Sequence, residues 1–424
     1  MKNYDIIVVG GGLTGAVAAI SAAREGRKVL IIEKGNSFGG AAVNSLVNPF
    51  MPYFYQDTET KERVYLSRGI FEEIINKLRE FKCIYEYKDY ENETAFNEEY
   101  LKIILNRMLI DAGADILFHS YLIDAEVENG HIKSITVANK SGKQTFSADY
   151  FIDATGDGDL AAMSGCSFRL GRDEDNLCQP MTLCFRLGNV DIDKYMKEER
   201  PEAIKMYKEY KEKGLIKNVY EKILTFKVPS KGVLHFNSTR VVKKNPIDAF
   251  DITKAEIEAR EYMFELISFL KTNFSSFKDA VVLSSGVSIG VRESRMIEGE
   301  YTLTGEDLLN LTRFEDSIAV GNYDIDIHNP EGSGTTHHYF KPGEYYTIPY
   351  RCLTAKDTDN LLVAGRCISV THEAQASIRI MPICACLGQA AGTAAAIASK
   401  ANQKIKEIDI AELRKALKEA NAVV

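Results

Sequence analysis

The chain has 424 residues, of which 52 are basic, 60 acidic and 45% apolar, for a formal charge of −8. That exceeds the roughly 250–300 residues one core usually serves, so two domains are expected, and the acidic balance argues against a nucleic-acid or anionic-membrane surface in favour of a small-molecule partner. No run approaches ~18 uninterrupted apolar residues, the N-terminus enters a strand without a leader pattern, and the eight cysteines are scattered rather than spaced as a disulfide framework. A reduced, cytoplasmic protein without a membrane partner is expected.

The first element, "YDIIVVG", is a β-branched run of the buried-strand type. Gly10, Gly12 and Gly15 follow it in the G-x-G-x-x-G spacing and open "AVAAISAAREG", a helical pattern of small residues. Each glycine has a task in a strand–turn–helix that holds a dinucleotide. Gly10 permits the tight turn, Gly12 lets a pyrophosphate approach the backbone, and Gly15 lets the helix pack close to the strand. The phosphates rest on the helix N-terminus, at Leu13 and Thr14. The second strand, "RKVLIIEK", ends in Glu33 and Lys34. An acid about 20 residues past the glycines accepts hydrogen bonds from both ribose hydroxyls of an adenosine and repels a 2′-phosphate, so the ligand is FAD or NAD rather than NADP.

"GNSFGGAAVNS" makes a second turn at Gly39, Gly40 and Ala41, after which the chain departs on a long excursion. It returns as a three-stranded antiparallel meander with turns at Asn129-Gly130 and Ser141-Gly142. A separate strand, "YFIDATG", is expected next, with Ala154 near its end and Thr155, Gly156 and Asp157 at its tip. NAD-binding domains seldom make such an excursion.

These features, with "DATGDGDLAAMSG", resemble the FAD-dependent oxidoreductases of the glutathione-reductase-type flavin fold. The segments "GVSIGVRESRMIEGEYTLTGEDL" and "YTIPYRCLTAKDTDNLLVAGRCISVTHEAQASIRIMPICACLGQAAGTAAAIA" are similar to a largely uncharacterised FAD-dependent oxidoreductase family, and the likeness runs from residue 4 to about 400. The resemblance implies an α/β protein with a Rossmann-like FAD-binding domain, a parallel sheet plus a three-stranded β-meander, and an inserted mixed α/β substrate domain. Residues 1–48, 96–166 and 349–424 would form the first, and 49–95 and 167–348 the cap. It also implies that "NLLVAGR" brings Gly365 and Arg366 to the flavin ribityl and pyrophosphate. Pro382 suits the first turn of a helix whose Ala and Gly content requires another backbone or a ring against it. By the resemblance, the start of this helix faces the flavin N1 and C2 carbonyl and its dipole stabilises the reduced anion, with Gly388, Gln389 and Ala390 among the contacts.

Departures from related flavin enzymes narrow the chemistry. Arg366 and Cys367 follow Gly365, where many flavin-fold disulfide reductases carry an acid, and no cysteine pair follows Gly39-Gly40, which excludes disulfide exchange. No histidine precedes His119, so non-covalent FAD is expected. Cys384 and Cys386, a C-x-C without a second pair, are read as buried small residues, and no metal is assigned.

In the cap, "DIDKYMKEERPEAIKMYKEYKEKGLIKNVYEKILTF" is a charged amphipathic stretch, and "VVLSSGVSIGVRESRMIEGEYTLT" reads as a strand pair around Arg292 and Arg295. Arginines are seldom buried without a carboxylate or an anion to meet. His119 and His131 sit at the meander edges, whereas His328, His337, His338 and His372 lie in segments bracketing the C-terminal motif; His337 and His338 fit loop caps. His372 and Tyr346 are the expected acid or base, and Arg292 and Arg379 the expected cationic anchors. The expected function is hydride transfer between a polar small-molecule substrate and flavin N5, in either direction and with an unspecified electron partner; the runner-up is NAD(P)H-dependent reduction of an activated C=C bond. Rivals of other classes are an NAD-dependent dehydrogenase with a single Rossmann domain and a flavin-fold binding protein without catalysis. Oligomeric state is left open.

Overall fold

The computed structural model describes residues 2–86 and 93–424. Five strands run parallel in the order Asp115–Leu117, Val29–Ile32, Lys2–Val9, Gly142–Asp153 and Leu361–Val363. Ile6, Ile7 and Val8 are fully buried, as β-branched runs covered on both faces must be. The meander is present: Tyr121–Glu128 pairs with His131–Asn139, which pairs antiparallel with residues 142–147. Asn129 and Gly130 both take positive φ, 51° and 75°, as a two-residue hairpin turn demands. The third meander strand and the "YFIDATG" strand, expected as separate elements, are one strand of 12 residues, Gly142–Asp153. Nothing in the intervening "TFSADY" supplies a Gly or Pro to break it.

Helix Leu13–Arg24 lies directly on helix Met381–Ala401. A Cβ at Gly388 would stand 2.2 Å from the Thr14 carbonyl oxygen, and one at Gly392 would stand 2.2 Å from that of Ala18. The Ala and Gly content of the second helix therefore answers to another helix backbone. Ser21 ties the two, its Oγ 3.1 Å from the Gln389 carbonyl and 2.9 Å from Thr393 Oγ1. Met381–Ala401 has the length and hydropathy of a membrane span, but its most apolar window is 94% buried inside the protein.

The excursion contributes Phe50, Phe71 and Phe96 to the same apolar core as the parallel sheet. A second core lies beneath an antiparallel sheet ordered Thr225–Lys227, Leu234–Phe236, Phe185–Gly188, Val281–Ser285. Leu266, Phe269 and Leu270 of helix Ala249–Asn273 and Tyr207 of helix Arg200–Glu212 fill it, so the apolar residues of the charged stretch serve packing. The expected strand pair around Arg292 does not form: Val281–Ser285 pairs with Phe185–Gly188, and Arg295–Ile297 pairs with Phe168–Leu170. Between them the chain is drawn onto the flavin-fold side, where Ser288 N–H bonds the Asn44 carbonyl at 3.1 Å.

Candidate active site

A cavity of about 580 Å³ opens over the C-terminal ends of the parallel strands and takes in Gly10, Glu33, Ala154 and Ala364. This is where open α/β sheets bind ligands. Gly10 has φ +100°, and a Cβ there would lie 2.4 Å from the Ala154 carbonyl oxygen; a Cβ at Gly15 would lie 1.9 Å from the Gly10 carbonyl oxygen. The protein's own backbone requires those two glycines. Gly12 is different: it caps helix Leu13–Arg24 with φ −60° and no side-chain hydrogen bond, and the nearest atom to a Cβ would be Gly40 Cα at 4.0 Å. Its missing side chain leaves open space at a helix N-terminus, which is what a pyrophosphate needs. Leu13, Thr14, Gly39, Gly40 and Ala41 complete this wall.

Glu33 closes the adjoining end. It is buried, with Oε2 accepting the Gly11 N–H at 2.6 Å and Oε1 the Gly35 N–H at 2.7 Å. The orientation is set by backbone donors, and each oxygen retains a lone pair for a ribose hydroxyl. Lys34 and residues 120–122 line the same end. Glu33→Ala should weaken FAD binding by about 1–3 kcal/mol in a titration of apoprotein. Unchanged affinity would remove Glu33 from the site.

Asp153 staples the tip of the central strand by accepting from Thr155 N–H at 3.0 Å, Thr155 Oγ1 at 2.7 Å and Ala161 N–H at 2.9 Å. This presents Thr155 and Gly156 to the cavity. Arg366, after Gly365, pairs with Asp157 at 2.6 Å. Burial alone would raise the Asp157 carboxyl, but Arg366 and the Ser294 hydroxyl hold it below the ordinary carboxylate range.

A second cavity, of about 730 Å³, meets the first at Ala41, Val291, Arg366, Arg379 and Met381. Arg292 lines it and gives Nη1 to the Pro180 carbonyl and Thr182 Oγ1, both at 2.6 Å. Burial and the nearby Arg379 and Arg240 lower its pKa to about 10, which leaves it cationic at neutral pH. Arg379 donates from Nη2 to Asp326 Oδ2 at 3.2 Å. Asp326 and His328 alternate on strand Ile325–His328 and so share a face. The same Oδ2 receives the Tyr323 hydroxyl and lies near His328 Nε2, each at 3.2 Å. His328 Nδ1 is 2.7 Å from Arg240 Nη2, which can only donate, so Nδ1 accepts and the proton is assigned to Nε2. Burial, with Arg292 nearby, lowers the His328 pKa to about 3 and keeps the ring neutral.

The remaining expectations land elsewhere. His372 lines neither cavity; Thr371 caps helix His372–Ile378, and His372 Nδ1 meets Glu293 Oε1 at 2.7 Å with side-chain exposures of 7% and 0%. Tyr346 is fully buried with its hydroxyl 2.6 Å from Ser377 Oγ, also away from both cavities. The expected contacts at Gly388, Gln389 and Ala390 are corrected too. Gly388 faces Thr14, Gln389 accepts the Ile70 N–H at 2.9 Å, and Ala390 is fully buried away from both cavities; Met381 and Cys384, nearer the helix start, line the cofactor cavity. Sequence reasoning missed Tyr323, Asp326 and Arg240; the alternation in "DIDIH" was the available signal for Asp326 and His328.

Burial raises the Cys384 thiol to about 12 and that of Cys386 to about 11, so both stay protonated. Replacing both by Ser should leave substrate-dependent flavin reduction intact and lower thermal stability only. Loss of reduction with FAD still bound would assign them a redox role.

Over 167 residues the chain is 27% identical to a digeranylgeranylglycerophospholipid reductase from Methanocella arvoryzae, covering 37% of this chain and 40% of that protein. Over 40 residues it is 58% identical to protein FixC of Escherichia coli, 9% of each chain. The matched stretches thus span less than half of these curated relatives. A geranylgeranyl bacteriochlorophyll reductase-like protein from Thermoplasma acidophilum shares the fold, with a TM-score of 0.52 at 16% identity over 99% of this chain and 84% of that one. The family model described as FAD dependent oxidoreductase matches residues 5–417, and the chain belongs to that family.

Proposed function

We propose that the protein moves a hydride between a carbon of a polar substrate, held in the 730 Å³ cavity, and flavin N5. The observation that carries this reading is the junction of the two cavities at Ala41, Val291, Arg366, Arg379 and Met381, which gives one ligand access to the other. FAD, when bound, supplies a two-electron centre that takes or gives a hydride. The Gly12 turn would hold its pyrophosphate, Glu33 its ribose, and Gly365 and Arg366 the chain leading to the ring.

On the substrate side, Arg292 and Arg379 orient the molecule. A proton must accompany the hydride. With His372 and Tyr346 seated elsewhere, it is held at Tyr323 Oη, which burial and the charge of Asp326 keep protonated well beyond neutral pH. The reducing direction agrees with the name of the Methanocella arvoryzae reductase. Tyr323→Phe should bind FAD normally and slow substrate-dependent flavin turnover by roughly 10²-fold or more in anaerobic stopped flow. An unaltered rate would take the proton role from Tyr323.

A further inference from the structure

On the wall of the 730 Å³ cavity, whose lining carries the carboxylates of Glu93 and Asp326, Arg240, Arg292 and Arg379 gather about Asp326. Arg379 pairs with Asp326, yet its Nε is buried without a hydrogen-bond partner among the described residues. Arg240, 2% exposed, is held by the Gly334 carbonyl at 2.9 Å, by His328 Nδ1 and by the Tyr220 ring, whose centroid is 4.4 Å from its guanidinium carbon. Among the described residues, the Arg292 guanidinium meets a carbonyl and a hydroxyl alone. Neither Arg240 nor Arg292 forms an ion pair among the described residues. His328 is neutral and adds no charge, while Arg200 and Lys222 add further cations to the lining and Glu93 a carboxylate.

A buried cation without a counter-charge is costly, and it is retained where an incoming anion completes the set. The concentration of positive charge stands out in a chain whose formal charge is −8. Arg240 and Arg292, the two guanidiniums without an ion pair among the described residues, leave room for two negative charges. The donors left free, on Arg292 and on Arg379 Nε, are of the kind that bind oxyanions in a fork.

We propose that this cavity takes a small organic molecule carrying two negative charges on oxygen, a dicarboxylate or a phosphate monoester, seated on Arg292 and Arg379 with Arg240 behind them. This names the substrate class of the proposed reaction and rests on that reading. Calorimetric titration of the FAD-loaded protein with malonate, inorganic phosphate, acetate and malonamide tests it without turnover. Malonate or phosphate should bind at least tenfold tighter than acetate, and malonamide should give no heat; whichever dianion binds tighter identifies the group. Arg292→Gln should weaken that binding at least tenfold with FAD content unchanged. Malonamide binding as tightly as malonate, or an affinity unmoved in Arg292→Gln, would overturn the proposal. If the variant does not fold, the wild-type series decides alone, because malonate and malonamide differ in charge and little in shape. Dianion binding without flavin reduction by any compound would sink the hydride-transfer reading and leave this one standing; reduction by neutral substrates without dianion binding would do the reverse.

Discussion

Gly12→Val should yield a folded protein that has lost its flavin. A Cβ at this position has no atom nearer than 4.0 Å, and φ −60° with ψ 177° is open to any L residue. The structural cost is that of a poorer helix cap, about 1 kcal/mol. The isopropyl group fills the space in front of the helix N-terminus, so FAD affinity should fall at least ~10²-fold, or about 3 kcal/mol. Gly15→Ala is the contrasting case. Its Cβ would collide with the Gly10 carbonyl oxygen at 1.9 Å, so the fold itself suffers, by about 1–3 kcal/mol or more. Thermal melts and flavin content of the two variants separate these effects. A Gly12→Val protein that purifies with full FAD would place the phosphates elsewhere.

His372→Ala should destabilise the protein strongly and spare the chemistry. The pair with Glu293 is buried, and removing one member leaves a carboxylate inside the protein without its partner, at a cost of about 3–5 kcal/mol. Burial alone would lower the His372 pKa, but the hydrogen bond and charge of Glu293 outweigh it and raise the value above that of a free histidine. The folded-state value is the higher one, so the stabilisation is complete below the unfolded pKa of about 6.5 and is lost as pH rises through the folded value. The gap in urea midpoint between wild type and variant should therefore be larger near about pH 6 than near about pH 9. A gap independent of pH would dissolve the coupling. Unchanged stability with flavin reduction slowed ~10²-fold would restore His372 as an acid or base.

The cofactor half of the site was legible because its requirements are local. The spacing of Gly10, Gly12 and Gly15 between a strand and a helix is backbone geometry, and Glu33 follows from the length of one helix and one strand. What escaped depends on partners distant in sequence. A glycine in a helix announces a close neighbour without saying which, and at Gly388 the neighbour is the Thr14 carbonyl. His372 looked chemical in its loop, but Thr371 caps a helix there and Glu293 receives the ring. Arg292 and Arg379 were recognisable as cations near the C-terminal motif. The pairing of Arg379 with Asp326, and of Arg240 with His328, 88 residues away, exists only in the folded chain. The meander was readable from its turns, while the fusion of its last strand with the next depended on the absence of a break between them.

The most direct test of flavin-dependent hydride transfer is anaerobic. FAD-loaded protein is mixed with small hydroxy acids and phosphorylated alcohols, and the photoreduced protein with the corresponding carbonyl compounds, while the flavin absorption band is followed. At least one pair should bleach the oxidised band, or restore it in the photoreduced protein, with a rate that saturates in substrate concentration, and Tyr323→Phe should slow it. A flavin band that no compound moves in either direction, in protein that nonetheless binds those compounds, would contradict the account and leave a flavin-fold binding protein in its place.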